Sequence, residues 1–308
     1  MTTQAVLIEA FASAPCQGNG AAVVRLGEPL SAQAMQAIAG SLKQSETAFL
    51  LERDGVWLLR WFTPTCEVKL CGHATLASLL ALGHWGAVNP GEELLFHSRS
   101  GPLAVRLDGD NAARGSIVLP AYPIHPATPT APLSALMERC SGTGVSRYWH
   151  SDLGYHVALL PSGTSLLGLD PLASELEGPE REGLVVMAAV DPAAASAPSL
   201  DGSPAHYQLR FFAPGLGIPE DPVTGSAHAL VAPYWLQQLD AEAVVGWQPS
   251  TRPGGMVCSA ASSGMIRLLG SGHLLWDGTL HFGHSTNGDG AVSDTSAWAG
   301  WEALLPRG

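Results

Sequence analysis

Two stretches of this chain repeat one another 153 positions apart. Glu67-Val-Lys-Leu-Cys-Gly72-His73-Ala74 and Glu220-Asp-Pro-Val-Thr-Gly225-Ser226-Ala227 both read E-x4-G-x-A, and each opens an apolar, helix-like run. Arg60-Trp-Phe-Thr-Pro64 leads into the first copy and Arg210-Phe-Phe-Ala-Pro214 into the second. Downstream, Ser98-Arg99-Ser100-Gly101 is matched by Thr251-Arg252-Pro253-Gly254. Solenoid repeats run about 20–50 residues, so this period means something else. It implies two similar domains with a cleft between equivalent helix starts. A chain of 308 residues has room for two domains at about 100–200 residues each. The expected division is 1–119 and 120–288, with the tail 289–308 a candidate to complete the first domain.

Composition narrows the ligand. The formal net charge is −12 with only 15 Lys and Arg, which argues against a nucleic-acid backbone as partner, since that demands a basic face. Hydrophobic residues make up 46% and charged residues 14%, enough for a large core and in keeping with a soluble protein that binds a small molecule. The first residues carry no basic, apolar leader. The apolar run Ala74–Leu82 is far shorter than a membrane span, so no membrane partner is expected. Five cysteines without a C-x-x-C fit free thiols in a reducing, cytoplasmic setting.

Periodicity predicts strands at 4–12 and 21–26 around the turn-rich Pro15–Gly20. Ser31 is the expected N-cap of a helix through Leu42, with Met35, Ile38 and Leu42 on one stripe. Residues 46–52 and 56–62 read as a hairpin about Asp54-Gly55, a preferred type I′ pair. Residues 73–84 have no polar face, so that helix is expected to be buried on all sides within a curled sheet. Strands are expected at 94–97, 103–107 and 116–119. The five prolines of 120–132 suggest a linker. Further strands are expected at 154–160, 183–190, 205–212, 255–260, 264–270 and 279–283, with a surface loop at 191–204. A second apolar helix should run from Ser226 to Leu239, with Pro233 a candidate kink. The fold class is α+β: two β-wrapped central helices.

Gly72 and Gly225 allow close backbone approach to a ligand. The first N–H groups of a helix have no internal partner and carry the positive end of its dipole. Two such starts facing one cleft would hold a carboxylate or an enolate-like anion. A single glycine at such a place is more often only a cap, and it is the matched pair that favours a binding role.

The motifs Gln44-Ser45-Glu46-Thr47-Ala48-Phe49, Phe62-Thr63-Pro64 with Leu70-Cys71-Gly72-His73-Ala74-Thr75, and Glu220-Asp221-Pro222-Val223-Thr224-Gly225-Ser226 together resemble the phenazine-biosynthesis isomerase (PhzF-like) family, whose relatives include diaminopimelate epimerase and proline racemase. The resemblance runs from the Gly18-Asn19 turn to the closing strands. It implies a diaminopimelate-epimerase-like fold: two pseudo-symmetric domains, each a β-barrel around a central helix, with the active site between them. It further implies that Glu46 is the proton-transferring carboxylate, that His73 and Asp221 are its polar partners, and that Ser226 is a further site residue. A homodimer is a family expectation as well.

The chemistry is sound on its own terms. A carboxylate in an apolar cleft can have its pKa raised and shuttle a proton between two carbons. His73 at a helix start should be biased toward its neutral form, and Asp221 could bind a substrate ammonium group. Taken alone, Glu46 would read as a strand carboxylate and His73 as a cap. Gly72, Cys71, Thr224, Gly225, Ser226 and Asn19 are the candidate substrate-binding positions, although Gly18-Asn19-Gly20 reads equally well as a tight turn.

The differences between the copies sort the relatives. Epimerases and racemases of this kind carry a cysteine before the glycine in both copies, whereas here the positions are Cys71 and Thr224. A threonine hydroxyl has no accessible basic form near neutral pH without an activating partner. A two-thiol racemase is therefore disfavoured, and an isomerase acting through Glu46 on a small carboxylate-bearing, dihydro-hydroxyanthranilate-type substrate is expected, with no metal and no redox cofactor. The alternatives are a one-base dehydratase or epimerase using Cys71, and a non-catalytic ligand-binding or protein-interaction module. His281-Phe-Gly-His284 lacks a third metal ligand at familiar spacing. His84, His97 and His150 read as structural or surface residues, and Trp61, Trp85, Trp235 and Trp247 as packing. Arg99 and Arg252 read as structural salt bridges.

Overall fold

The computed structural model describes residues 2–109, 113–191, 194, 197–262, 264–282 and 298. The chain forms two compact units, one of residues 1–10, 20–117 and 271–308, the other of 11–19 and 118–270. The second division falls inside a long strand rather than at 288, because residues 266–269 of that strand pair within one unit and 272–281 within the other. The segment 11–19 groups with the second unit because Gly18 N–H donates to Pro253 O and Gly255 N–H to Phe11 O. Of the tail expected at 289–308, only Trp298 is described; its indole N–H donates to Leu30 O at 2.9 Å.

The first unit holds β1 (Thr2–Ala10), β2 (Asn19–Leu26), α1 (Ala32–Leu42), β3 (Glu46–Arg53), β4 (Val56–Phe62), β5 (Glu67–Val68), α2 (Gly72–His84), β6 (Glu93–Ser98), β7 (Gly101–Leu107) and most of β8 (Arg114–Pro120). Strand β2 runs parallel to β3, and β3–β4 is the expected hairpin. Asp54 and Gly55 both take positive φ, 52° and 76°, as a type I′ turn requires. Ser31 caps α1 by accepting from Ala34 N–H at 3.1 Å. Met35 is fully buried, with Ile38 and Leu42 packed against the same cluster.

Helix α2 is buried at every residue from Gly72 to Leu82 and packs on β1, β3 and β7. Strands approach it closely where side chains are absent. A Cβ on Gly115 would stand 2.7 Å from Leu79 Cδ2, and one on Gly272 only 2.5 Å from Leu80 Cδ1.

The second unit holds β9 (Ile124–Pro126), α3 (Ala131–Ser141), β10 (Arg147–Ser151), β11 (His156–Leu159), α4 (Leu172–Glu175), β12 (Leu184–Ala189), β13 (Ser199–Leu200), β14 (Ser203–Pro204), β15 (Tyr207–Ala213), β16 (Ile218–Asp221), α5 (Gly225–Leu239), β17 (Ala243–Gln248), β18 (Gly254–Ala260) and the start of β19 (Met265–His281). Strands β9, β10, β11, β12, β15, β17, β18 and β19 pair in that order. Helix α5 packs on β15, β17 and β18, and it continues past Pro233 to Leu239.

Three expectations need correction. The proline-rich 120–132 is not simply a linker, because it contains β9 and ends on Thr130, which caps α3. The loop expected at 191–204 includes the short β13–β14 hairpin, while residues 192, 193, 195 and 196 lie outside the described residues. The strands expected at 264–270 and 279–283 are parts of one strand, β19; residue 283 and His284 lie outside the described residues.

Candidate active site

The repeated arginine and glutamate form equivalent ion pairs. In the first unit, Arg60 Nε and Nη2 donate to the two oxygens of Glu67 at 2.7 and 2.9 Å, and Arg99 adds a contact to Glu67 at 2.6 Å. In the second unit, Arg210 Nε and Nη2 donate to Glu220 at 2.7 and 2.6 Å. Arg60 and Arg210 are each only 2% exposed. Such bidentate pairs fix orientation as well as position. Each ties a central strand, β4 or β15, to the segment that leads into a buried helix. Arg252 Nε donates to Gly18 O at 3.3 Å.

The first helix start carries Glu46, Cys71 and His73, all buried. Glu46 is the first residue of β3, and Cys71 is the N-cap of α2, so Gly72 and His73 occupy its first turn. His73 Nε2 stands 3.1 Å from Glu46 Oε2 and 3.2 Å from Ser45 Oγ. Ser45 donates its own hydroxyl to Gly20 O at 2.9 Å, which leaves it to accept from the imidazole. Oε2 of Glu46 is buried and receives no aligned hydrogen bond. Its contact with His73 is thus an ion pair, and a carboxylate oxygen short of donors is the more basic one.

Burial alone would raise the Glu46 pKa, but the attraction of the neighbouring His73 outweighs it and holds the pKa below 4.5. Burial likewise opposes the His73 cation, yet the neighbouring Cys71 and Glu46 hold its pKa well above 6.5. Burial, then the Glu46 charge, push the Cys71 thiol up to about 11. A thiol so placed is neutral at pH 7, so Glu46 is the charge that holds the His73 proton there. Both protonation expectations are corrected by this one contact: the Glu46 pKa is lowered, not raised, and the His73 pKa is raised, which favours the cation over the neutral ring. The helix dipole at α2 is worth roughly 0.3–1 kcal/mol and does not outweigh a buried carboxylate at 3.1 Å.

The second helix start is built differently. Thr224 is the N-cap of α5, with Gly225 and Ser226 in the first turn. The Thr224 hydroxyl donates to Asp221 Oδ2 at 2.5 Å, and Asn19 Nδ2 donates to Asp221 Oδ1 at 2.7 Å. Asn19 is 1% exposed and also reaches Val223 O at 3.1 Å, so it anchors Asp221 rather than acting only as a turn residue. Two residues unmarked by any motif complete this arrangement. Gln248 holds the N-cap residue of α5, its Oε1 accepting from Thr224 N–H at 2.9 Å while its Nε2 donates to Asp221 O at 2.6 Å. Tyr155 places its hydroxyl 3.5 Å from Ser226 Oγ. Gln248 lies on a strand with no repeat counterpart of like chemistry (position 95 is Leu), so the duplication gave no signal for it.

A family model described as phenazine biosynthesis-like protein matches residues 8–264. The chain belongs to this family. It is 36% identical over 275 residues to an uncharacterized isomerase of Pseudomonas aeruginosa, covering 89% of this chain and 97% of that protein. A crystal structure of a phenazine biosynthesis protein PhzF family member from Enterococcus faecalis superposes with a TM-score of 0.75 at 29% identity, over 92% of this chain and 100% of that one. A probable proline racemase from Agrobacterium radiobacter superposes with a TM-score of 0.58 at 11% identity, over 98% of this chain and 100% of that one. That likeness shows the fold alone, which is the diaminopimelate-epimerase-like α+β fold.

Proposed function

We infer that this PhzF-like protein is an isomerase that moves a proton between carbons of a small carboxylate-bearing acid of the dihydro-hydroxyanthranilate type, with Glu46 as acid and base. The observation that carries this reading is the buried Glu46–His73 pair, 3.1 Å apart at the start of α2. Glu46 rests as a carboxylate with one oxygen short of donors, ready to take a proton from carbon. As it does so, the C–H electron pair moves into the conjugated system of the substrate. The anionic character that develops is stabilised by the His73 cation and the positive end of the helix dipole. Glu46 then returns the same proton to a second carbon, so nothing is gained or lost overall. Asp221, in the second unit, is held through both oxygens by Asn19 and Thr224.

The one-base route through Cys71 is disfavoured by the same geometry. Burial and the adjacent Glu46 charge hold the thiol protonated at about 11, and a thiol is a base only as its thiolate. The test is incubation in D2O with a panel of cyclic unsaturated amino and hydroxy acids. Deuterium appearing at carbon in a dihydro-hydroxyanthranilate-type acid supports the reading. No exchange anywhere in the panel, together with binding to another protein, would favour the non-catalytic module.

A further inference from the structure

Three histidines stand in one register across neighbouring strands of the second unit. His150 on β10 is paired with His125 on β9 on one side and with His156 on β11 on the other. Directly opposed residues in antiparallel strands project from the same face with Cβ atoms about 4.5–5.5 Å apart. The rings of His150 and His156 are accordingly 5.0 Å apart, centre to centre. Asp152, in the turn just after β10, contacts His125 Nε2 at 2.9 Å.

The two outer rings each have one nitrogen committed to an oxygen partner. Asp152 takes the Nε2 of His125. Tyr148 Oη lies 2.8 Å from His156 Nδ1 and donates to the buried Glu180 Oε1 at 3.1 Å. Tyr148 therefore accepts from His156 Nδ1–H, which fixes the tautomer and leaves the Nε2 lone pair. Thr130 also donates to Glu180 Oε1, anchoring the relay to the N-terminus of α3. A carboxylate, or a hydroxyl backed by one, on the far nitrogen is the arrangement that orients histidine for a metal and raises its basicity.

We propose that His125, His150 and His156 form a three-histidine binding site for a late first-row divalent cation of the Zn2+ class. Imidazole sets of this kind suit Zn2+, Ni2+ and Cu2+, and three histidines with an open fourth position form a known zinc arrangement. The ligand atoms of the three rings do not all lie within 4.8 Å of one another. The cluster among the described residues whose ligand atoms already lie within 4.8 Å of one another is Glu46–Cys71–His73. Closure of the histidine row requires rotation of exposed side chains: His150 is exposed, as is His125 at 59%. Bound metal would tie β9, β10 and β11 together.

The test is calorimetric titration of untagged, chelator-treated full-length protein with Zn2+, with Ni2+ as a second probe. The expected result is one saturable site in the wild type, retained in Cys71→Ala. His150→Ala and His125→Ala should each weaken it at least tenfold. Tyr148→Phe, which removes the partner of His156, should weaken it by about 10–100-fold. His125 and His150 are exposed, so circular dichroism should show both variants folded, and either alone decides the matter. Absence of saturable binding, equal binding in all variants, or binding lost in Cys71→Ala but kept in His150→Ala would overturn the proposal.

Discussion

His73 Nε2 and Glu46 Oε2 lie 3.1 Å apart in a buried ion pair, and each holds the other in its charged form. Nuclear magnetic resonance of the His73 ring tests this. In the wild type the ring should stay protonated well above pH 6.5, because Glu46 opposes the cost of burial. In Glu46→Gln that attraction is gone while the burial remains, so titration should fall to or below the ordinary imidazole range.

The same pair sets a stability window. The lowered Glu46 pKa contributes stability that is present above 4.5 and is lost as pH falls through its folded value. The raised His73 pKa contributes stability that is complete below 6.5 and is lost as pH rises through its folded value. Both contributions are therefore complete between those two values. Denaturant unfolding of wild type and Glu46→Gln should differ most within that interval and converge on either side.

Thiol reactivity should separate the cysteines by burial. Cys16 and Cys66 are exposed, while Cys71 and Cys258 are buried, with thiols pushed up to about 11 and about 12. For Cys71 this leaves about one thiolate in 10^4 at pH 7. A thiol reagent on native protein should label Cys16 and Cys66 quickly, whereas Cys71 and Cys258 should react only on unfolding. Fast labelling of Cys71 would revive the one-base route.

The repeated arginines should matter for stability. Arg210→Ala removes the bidentate partner of Glu220 along with contacts to Asp170 and Leu166 O. It leaves a largely buried carboxylate unpaired, at a cost of about 3–5 kcal/mol. Urea unfolding should show that loss, and Glu220→Gln, which removes the charge as well, should cost less.

Much of the fold is legible in the sequence because the duplication fixes the frame twice. The same glycine opens both central helices, and α2 declares its burial by having no polar face. The Ser31 cap and the Asp54-Gly55 turn are local chemistry, and the structure has both where the sequence puts them. What sequence does not show depends on distant contacts. The protonation of Glu46 and His73 comes out reversed when each is weighed against burial or a helix end rather than against the other. Asn19 reaches Asp221 across 202 positions, and Gln248 reaches Thr224 from another strand. The helix α3 hides behind prolines that read as a linker, although Thr130 and the following proline are also good helix-start residues.

The central claim is that Glu46 carries the proton. Its most direct test is deuterium incorporation from D2O at carbon of a dihydro-hydroxyanthranilate-type acid, measured by mass spectrometry for wild type, Glu46→Gln and Cys71→Ala. The account predicts a fall of 10^2-fold or more in Glu46→Gln, the scale of one acid/base residue at roughly 10^2–10^4-fold, with exchange persisting in Cys71→Ala. Exchange undiminished in Glu46→Gln and abolished in Cys71→Ala would contradict it.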